Sequence, residues 1–264
     1  MGSDGVLPID ATDLRVVVTA AGSGIGEVIA RSYRARGAKV YICDVVETFL
    51  ADALGSIEGS FGSCVDVGDP AAVDKMFNHV EETLGGLDVL INNAGIAGPT
   101  ALVENVTPEA LDQTLRIDLQ AQFHCSRRAI PLMKKVEGGS VINLSSVAGR
   151  LAFSMRTPYA AAKWGVIGFT KSLALEVGRD NIRVNAILPG HVNGPRFRRV
   201  AAAKAAVRGI GEDEMQAEML ACVASGRTVE MQDIANMALY LTSPFGAAVN
   251  GQAISVCGGV EMMR

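Results

Sequence analysis

The stretch that decides the fold runs from Arg15 to Gly26 and reads RVVVTAAGSGIG. Its first five residues, Arg15–Thr19, form a β-branched run typical of a buried strand. The glycine-rich turn that follows leads into a predicted helix over 25–36. Such a turn lets backbone N–H groups approach a pyrophosphate at the helix N-terminus. The stretch therefore predicts a dinucleotide-binding βα unit, with Ser23, Gly24, Ile25 and Gly26 beside the phosphates.

Outward from this unit, short apolar runs alternate with longer helical stretches. The predicted strands lie at 15–19, 38–43, 62–65, 87–91, 140–144, 182–188 and 252–256, and the helices at 25–36, 70–84, 108–136, 158–178 and 231–242. This alternation is typical of a parallel sheet covered by helices on both faces. We expect an α/β fold, a doubly wound (Rossmann-like) parallel sheet of about seven strands. Residues 1–264 are expected to form a single dinucleotide-binding and catalytic domain.

One segment, about 194–227, interrupts the alternation. It carries five basic residues followed by an acidic stretch: Arg196, Arg198, Arg199, Lys204 and Arg208, then Glu212, Asp213 and Glu214. The pattern predicts one or two inserted helices, which in this architecture lie over the ligand crevice as a substrate lid. The arginines could recognise a carboxylate, phosphate or sulfonate, or form an ordinary solvated face.

Composition limits the partners. The net charge is −4, from 24 basic and 28 acidic residues, which disfavours nucleic acid as a partner. Five scattered cysteines form no C-x-x-C pair and, with three histidines, no metal-ligand pattern. No apolar run is long enough to span a membrane and the N-terminus lacks a secretory pattern, so we expect a cytoplasmic protein.

Acidic residues follow the second and third predicted strands. Asp44 lies 18 residues beyond Gly26, where a carboxylate can bind the adenosine ribose and would repel a 2′-phosphate. This predicts NAD as the cofactor, although Asp44 could also only cap the next helix. Asp66, followed by Val67, could bind the adenine amino group or merely form a turn.

A polar turn follows the fourth predicted strand and reads Asn92-Asn93-Ala94-Gly95. It would line the same crevice, although Asn and Gly also occur in turns for local reasons. We therefore expect Asn93, Ala94 and Gly95 to take part in binding the cofactor.

The pattern that indicates catalysis comprises Ser146, Tyr159 and Lys163. Tyr159 and Lys163 are four residues apart in a predicted helix, so they share one face. An ammonium near a phenol favours the phenolate, as a tyrosine needs in order to exchange protons near neutral pH. Ser146 ends the fifth predicted strand, where its hydroxyl can bond the reacting oxygen.

Together these motifs resemble the short-chain dehydrogenase/reductase family, its compact soluble branch, over residues 13–260. The features that carry the resemblance are the glycine-rich turn, the Asn92–Gly95 turn, Ser146 thirteen residues before Tyr159, the Tyr-x-x-x-Lys pair, and Pro189-Gly190 after the sixth strand. The resemblance implies hydride transfer between a nicotinamide cofactor and an alcohol or ketone.

The resemblance also implies roles for individual residues. Tyr159 would be the acid/base, Ser146 would position the substrate oxygen, and Lys163 would bind the nicotinamide ribose and activate Tyr159. The backbone at Pro189, Gly190 and Val192 would hold the nicotinamide carboxamide. A homotetramer is implied as well, with the 108–136 and 158–178 helices at an interface; the second stretch is apolar on more than one face, which supports this.

The sequence departs from the family pattern at three places. Ala20 replaces the first glycine of the turn. Asp118 stands where the family has an Asn that supports a water relay to the lysine, and a carboxylate there could pair with Lys163. After Pro189-Gly190 the sequence reads His191-Val192-Asn193, without the Thr that often binds the carboxamide.

Residues between Ser146 and Tyr159, notably Arg156, are expected to edge the substrate pocket, as is His191, which could instead be structural. The predicted function is NAD-dependent interconversion of a secondary alcohol and a ketone, the alcohol being a sugar, polyol or hydroxy acid. Two alternatives remain: an NADP-dependent ketoreductase, for example of 3-oxoacyl substrates, and a non-catalytic NAD-binding scaffold, which Asp118 supports.

Overall fold

A computed structural model describes residues 9–262 and contains one sheet of seven parallel strands. The strands are β1 (Arg15–Thr19), β2 (Lys39–Asp44), β3 (Phe61–Cys64), β4 (Val89–Asn92), β5 (Gly139–Leu144), β6 (Ile182–Pro189) and β7 (Ala253–Val256). Their order in the sheet is β3-β2-β1-β4-β5-β6-β7. The predicted Rossmann-like doubly wound sheet is confirmed, with strand bounds shifted by one or two residues. The sequence predicts no secretory signal at the N-terminus, and that segment lies largely outside the described residues.

The helices are α1 (Gly24–Arg34), α2 (Glu47–Ser56), α3 (Pro70–Leu84), α4 (Pro108–Leu115), α5 (Ala121–Lys135), α6 (Thr157–Val177), α7 (Pro195–Arg208), α8 (Glu212–Ala221) and α9 (Met231–Thr242). The sequence analysis missed α2, which buries only Leu50 and Ala53 and so has little apolar periodicity. No described helix is both long and apolar enough to cross a bilayer.

The predicted helical stretch over 108–136 is confirmed, although the type of helix changes within it. Helix α4 ends at Leu115 and α5 begins at Ala121, and a π-helical segment, Arg116–Gln120, joins them. A π-helical segment inserts an extra residue into the helical turn and is often found at functional sites. Here it carries Asp118, which is fully buried.

The core has two layers, one on each face of the sheet. In β1, Val16 and Val18 contact one layer, with Ile29 of α1, whereas Val17 contacts the other, with Phe77 of α3. Because both faces are covered by helices, successive residues of the central strands are all apolar and buried.

The strand order reverses between β1 and β4, which are neighbours in the sheet although five elements, α1 to α3 with β2 and β3, separate them along the chain. Connections from these strands leave toward opposite sides, so a crevice opens at their carboxyl ends. Thr19, the last residue of β1, accepts hydrogen bonds at Oγ1 from the N–H groups of Asn93 and Ala94, each at 3.0 Å. The turn after β4 is thereby fixed against the turn after β1.

Candidate active site

The turn between β1 and α1 is built from positive backbone angles and close backbone contacts. Gly24 has φ +64°, and Ala20, which replaces a family glycine, still adopts φ +50°. A Cβ on Gly26 would lie 2.5 Å from the Ala20 carbonyl oxygen, so this position accepts only glycine. Ile25 packs against the core and anchors the start of α1.

This turn fits a dinucleotide phosphate. The Ser23 side chain makes no capping hydrogen bond, so no side chain there covers the first N–H groups of α1. A Cβ on Gly24 would meet no atom within 4 Å, so protein does not fill the space beside the turn. Exposed N–H groups at a helix N-terminus and open space before them are the features that an anion needs.

Asp44 is the last residue of β2 and is only 7% exposed. Its carboxylate accepts hydrogen bonds from the N–H of Gly22 and the N–H of Val46, both at 3.0 Å. A Cβ on Gly22 would lie 2.9 Å from an oxygen of this carboxylate. The contact ties the end of β2 to the glycine-rich turn and places a negative charge beside it.

Asp66 forms the turn after β3 and also an ion pair. Its carboxylate accepts from the N–H of Gly68 and from Arg116 Nη1, both at 2.8 Å. Burial acts to raise the pKa of Asp66, but the Arg116 and Gly68 hydrogen bonds outweigh it and the pKa is lowered. The turn-forming alternative is therefore present in the structure, and the neighbouring Val67 is buried.

The Asn93–Gly95 turn is in direct contact with the glycine-rich turn. Asn93 Nδ2 donates to the carbonyl oxygens of Thr19 and Ala20, both at 2.9 Å, while Ala94 is buried. Gly95 leaves no room for a side chain, since its Cβ would lie 2.7 Å from Asp118 Oδ1 and 3.3 Å from Lys163 Nζ. This turn therefore connects the dinucleotide end with the Tyr159–Lys163 helix.

Ser146 and Lys163 meet at the carboxyl end of β5. The Ser146 hydroxyl lies just past that strand and accepts from the N–H of Ala148 at 3.1 Å. Lys163, on α6, is 3% exposed, and its Nζ donates to the carbonyl oxygen of Leu144 at 3.0 Å. The Ser145 hydroxyl, in turn, donates to the Lys163 carbonyl at 2.8 Å, which fixes α6 against β5.

Asp118 faces the lysine from the π-helical segment. Its Oδ1 lies 3.9 Å from Lys163 Nζ and accepts from the N–H of Ile96 at 2.7 Å. Its Oδ2 is buried and has no hydrogen-bond partner among residues 9–262. Burial raises the pKa of the Asp118 carboxyl, although the Lys163 ammonium and the Ile96 N–H act in the opposite direction. The ion pair between Asp118 and Lys163 that the sequence suggested is therefore present, with a long distance of 3.9 Å between Nζ and Oδ1.

Tyr159 lies one helical turn before Lys163, with Lys163 Nζ 5.6 Å from its ring centroid. The Arg156 guanidinium carbon lies 4.6 Å from the same centroid. Arg156 is 5% exposed and donates from Nη2 to the Ala97 carbonyl at 2.6 Å. The predicted pocket residue is therefore buried beside the phenol.

The end of β6 supplies the residues expected to hold the nicotinamide. Pro189 is buried, and the N–H of Gly190 donates to the Val256 carbonyl at 2.9 Å. A Cβ on Gly190 would lie 2.7 Å from Cys257 Cα, which explains the glycine. Val192 forms an isolated bridge with Val229, and the His191 ring packs at 5.5 Å from Phe197 of α7. His191 thus contacts the inserted segment.

The segment 194–227 contains two helices, α7 and α8, as expected. Of its basic residues, Arg196 reaches the site: its Nη2 donates to the Gly95 carbonyl oxygen. Arg208 instead pairs with Glu218 of α8, and Lys204 lies 5.6 Å from the Phe153 ring centroid. The basic cluster therefore has divided roles, and only part of it faces the loop after β4.

Two features of the site were missed by the sequence analysis. Thr19 joins the two turns through its hydroxyl, and the Leu144 carbonyl holds Lys163. The position of Thr19, a hydroxyl at the end of an apolar strand next to the glycine-rich turn, was the available signal. The Leu144 carbonyl is a backbone group, and its role depends on how α6 packs.

Comparison with known proteins agrees with this geometry. A family model described as Enoyl-(Acyl carrier protein) reductase matches residues 19–261. The D-beta-hydroxybutyrate dehydrogenase of Rhizobium meliloti is 33% identical over 92% of this chain and 96% of its own. The 3-oxoacyl-acyl-carrier-protein reductase FabG of Escherichia coli is 33% identical over 94% of this chain and 97% of its own.

A solved structure shares the whole architecture. An actinorhodin polyketide ketoreductase variant, solved with NADPH, has a TM-score of 0.91 and 32% identity, and the match covers 96% of this chain and 99% of that one. These proteins are oxidoreductases that act on hydroxyl and keto groups. The parallel sheet, the nucleotide-binding turn and these matches agree, and the chain belongs to the short-chain dehydrogenase/reductase family.

Proposed function

We propose that the protein interconverts a secondary alcohol and a ketone with NAD as the cofactor. The observation that carries the proposal is the position of buried Lys163, whose Nζ donates to the Leu144 carbonyl at the carboxyl end of β5 and lies 5.6 Å from the Tyr159 ring centroid. The nicotinamide, when bound, supplies or removes a hydride at the reacting carbon. The residues of the chain then have to bind the oxygen and move its proton.

In this proposal the Tyr159 hydroxyl exchanges a proton with the reacting oxygen, and the Ser146 hydroxyl donates a hydrogen bond to the same oxygen. The Lys163 Nζ lies 5.6 Å from the Tyr159 ring centroid, so its positive charge would stabilise negative charge that develops on the phenol oxygen during the reaction. General acid/base groups of this kind contribute about 10²–10⁴-fold to the rate. The intact set of three side chains favours an enzyme over a non-catalytic scaffold.

We assign the adenosine end of the cofactor to the residues around the glycine-rich turn. The N–H groups of Ser23, Gly24, Ile25 and Gly26 would bind the phosphates. Asp44 would accept from the ribose hydroxyls, and Asp66 with Val67 would contact the adenine. The nicotinamide end would lie against Asn93, Ala94, Gly95, Pro189, Gly190 and Val192.

The preference for NAD rests on Asp44. Its carboxylate is nearly buried beside the turn, so a 2′-phosphate would meet a like charge at short range. The second candidate is an NADP-dependent ketoreductase, favoured by likeness to a ketoreductase solved with NADPH and to a 3-oxoacyl reductase.

A homotetramer and a lid complete the proposal. Exposed apolar side chains on α5 and α6, Phe123 (48%), Trp164 (54%) and Leu175 (87%), support a subunit interface there.

The contact of Arg196 with the loop after β4 supports α7 and α8 as the lid. A cytoplasmic location stays a prediction from the sequence.

The test is a panel of sugars, polyols, hydroxy acids and aromatic alcohols, with the matching ketones, assayed with each cofactor at one ionic strength. We expect turnover of at least one class, with kcat/KM for NAD at least about a hundredfold above NADP. Equal use of both cofactors would contradict the NAD assignment. Tight NADH binding with no turnover across the panel would favour the scaffold.

A further inference from the structure

Three basic side chains converge on the loop after β4. Arg156 donates to the Ala97 carbonyl, Arg196 donates to the Gly95 carbonyl, and Lys163 Nζ lies 3.3 Å from where a Gly95 Cβ would be. The one carboxylate in this group is that of Asp118, which lies 3.9 Å from Lys163. Even with Asp118 ionised, the positive charges outnumber the negative ones at the mouth of the site.

Arg156 is the least compensated of these cations. Only 5% of the Arg156 surface is exposed, yet its Nε has no hydrogen-bond partner in the described part of the chain. Burial lowers the pKa of Arg156, with Tyr159 and Asp118 acting in the opposite direction. A buried guanidinium without a directly bonded anion is costly, so such groups are normally paired or serve a ligand.

The backbone before Arg156 is held in a strained conformation. Met155 has φ +63°, which a residue with a side chain seldom adopts. Its carbonyl accepts from the N–H of Ala101 at 3.0 Å, so the segment is pinned to the loop after β4. Strain of this kind persists where the surrounding contacts impose it, and it is concentrated at functional sites.

We propose that Arg156, with Arg196, binds the carboxylate of the substrate, which makes the substrate a short hydroxy acid or the matching oxo acid. This inference rests on the proposed function, since it concerns the substrate of the same site. The guanidinium contacts the Tyr159 ring, so a bound carboxylate would lie only a few bonds from the reacting carbon. The planar fork of a guanidinium matches a carboxylate with two parallel hydrogen bonds.

The experiment compares two ketones that differ by one charge, acetoacetate and methyl acetoacetate. We expect the wild-type protein to reduce the acid with a kcat/KM at least about tenfold above the ester, as for a hydrogen bond to a charged group. Dihydroxyacetone and its phosphate form a second pair. A preference for the phosphate over both acetoacetate and the neutral ketone would overturn the assignment to a carboxylate.

Substitutions of the arginines test which side chain causes the preference for the acid over the ester. Arg156→Gln should raise KM for acetoacetate about 10- to 100-fold while changing the ester less than about threefold. Arg156→Lys should give an intermediate loss, because it keeps the charge but not the fork, and it covers the case in which the Gln variant misfolds. Arg196→Gln should also raise KM for acetoacetate more than KM for the ester. The control is Arg179→Gln, an exposed arginine just beyond the C-terminal end of α6, which should change the kinetics with neither substrate.

A binding measurement separates this inference from the proposed function. Butyrate, which has no carbonyl to reduce, should bind the wild-type protein in equilibrium dialysis more tightly than butyramide, and Arg156→Gln should remove the difference. If no ketone is reduced but butyrate still binds through Arg156, the proposed function fails and the anion site stands. If the ester is reduced as well as the acid, or if Arg156→Gln lowers both equally, the anion site is wrong.

Discussion

Lys163 and Asp118 face each other inside the protein, with Nζ 3.9 Å from Oδ1 and neither side chain more than 4% exposed. The distance is long for a buried pair, and Asp118 Oδ2 has no partner within residues 9–262. The pair therefore compensates the burial of the carboxyl only in part. This explains the direction of its pKa, which is raised mainly by burial.

The raised pKa of Asp118 predicts a pH-dependent effect of Asp118→Asn on stability. Protonated Asp118 stabilises the fold below its unfolded pKa of about 3.9, and this contribution is lost as pH rises through the higher folded value. The variant carries no such titration. Its Tm should therefore rise relative to wild type as the pH increases above the unfolded pKa of about 3.9, until the folded carboxyl is ionised, by roughly 2–4 °C for each kcal/mol. A Tm difference independent of pH, measured by calorimetry, would contradict this.

Tyr159→Phe should abolish turnover and leave NADH binding nearly unchanged. The hydroxyl is needed for proton transfer, whereas the ring only packs near Arg156 and Lys163. The expected loss in kcat is about 10²–10⁴-fold. Single-turnover kinetics and NADH fluorescence titration measure the two effects separately. If the variant kept a tenth of the wild-type kcat, Tyr159 would not be the acid/base.

Asp44 should set the choice of cofactor. Asp44→Ala alone should lower kcat/KM for NAD more than it raises kcat/KM for NADP, because no cation replaces the lost carboxylate. Adding Val45→Arg should narrow or reverse the preference, since Val45 is 63% exposed and an arginine there can meet a 2′-phosphate. The measurement is kcat/KM with both cofactors on wild type and both variants. If the ratio of kcat/KM for NAD to kcat/KM for NADP were unchanged in the double variant, the adenosine ribose would not bind beside Asp44.

Two glycines of the first turn should respond differently to alanine. Gly24→Ala meets no steric contact but keeps φ +64°, which costs about 1–2 kcal/mol. Its methyl group would occupy the space assigned to the phosphate, so NADH should bind at least about tenfold more weakly. Gly26→Ala should instead impair folding, because its Cβ would lie 2.5 Å from the Ala20 carbonyl. Unaltered NADH affinity in Gly24→Ala would contradict the placement of the phosphate.

Phe123→Arg should disrupt the proposed tetramer. Phe123 of α5 lies 3.9 Å from Phe169 of α6, centroid to centroid, and is 48% exposed. A charge at a buried apolar interface is costly, so light scattering should show smaller species. Phe245→Arg is the control, since Phe245 is 70% exposed but lies outside α5 and α6. A wild-type protein that is monomeric and fully active would refute the tetramer.

Local patterns in the sequence determined the strands, most helices and the central site residues. The β-branched run before a glycine-rich turn specifies a buried strand and a helix N-terminus, because these signals involve adjacent residues. Tyr159 and Lys163 share a face for the same reason, as they are one helical turn apart. The position of Ser146 at the end of a predicted strand suggested that its hydroxyl bonds the reacting oxygen, and the resemblance to the family implied the same role.

Only the tertiary structure decided which distant groups meet. The π-helical segment at Arg116–Gln120 places Asp118 beside Lys163, and no local pattern distinguished it from an α-helix. Asp66 pairs with Arg116, 50 positions away, and Arg196 reaches Gly95, 101 positions away. Arg156 is buried and donates to the Ala97 carbonyl in the loop after β4, 59 positions away. Such contacts depend on how loops and helices pack over the sheet, which the periodicity of a single segment does not encode.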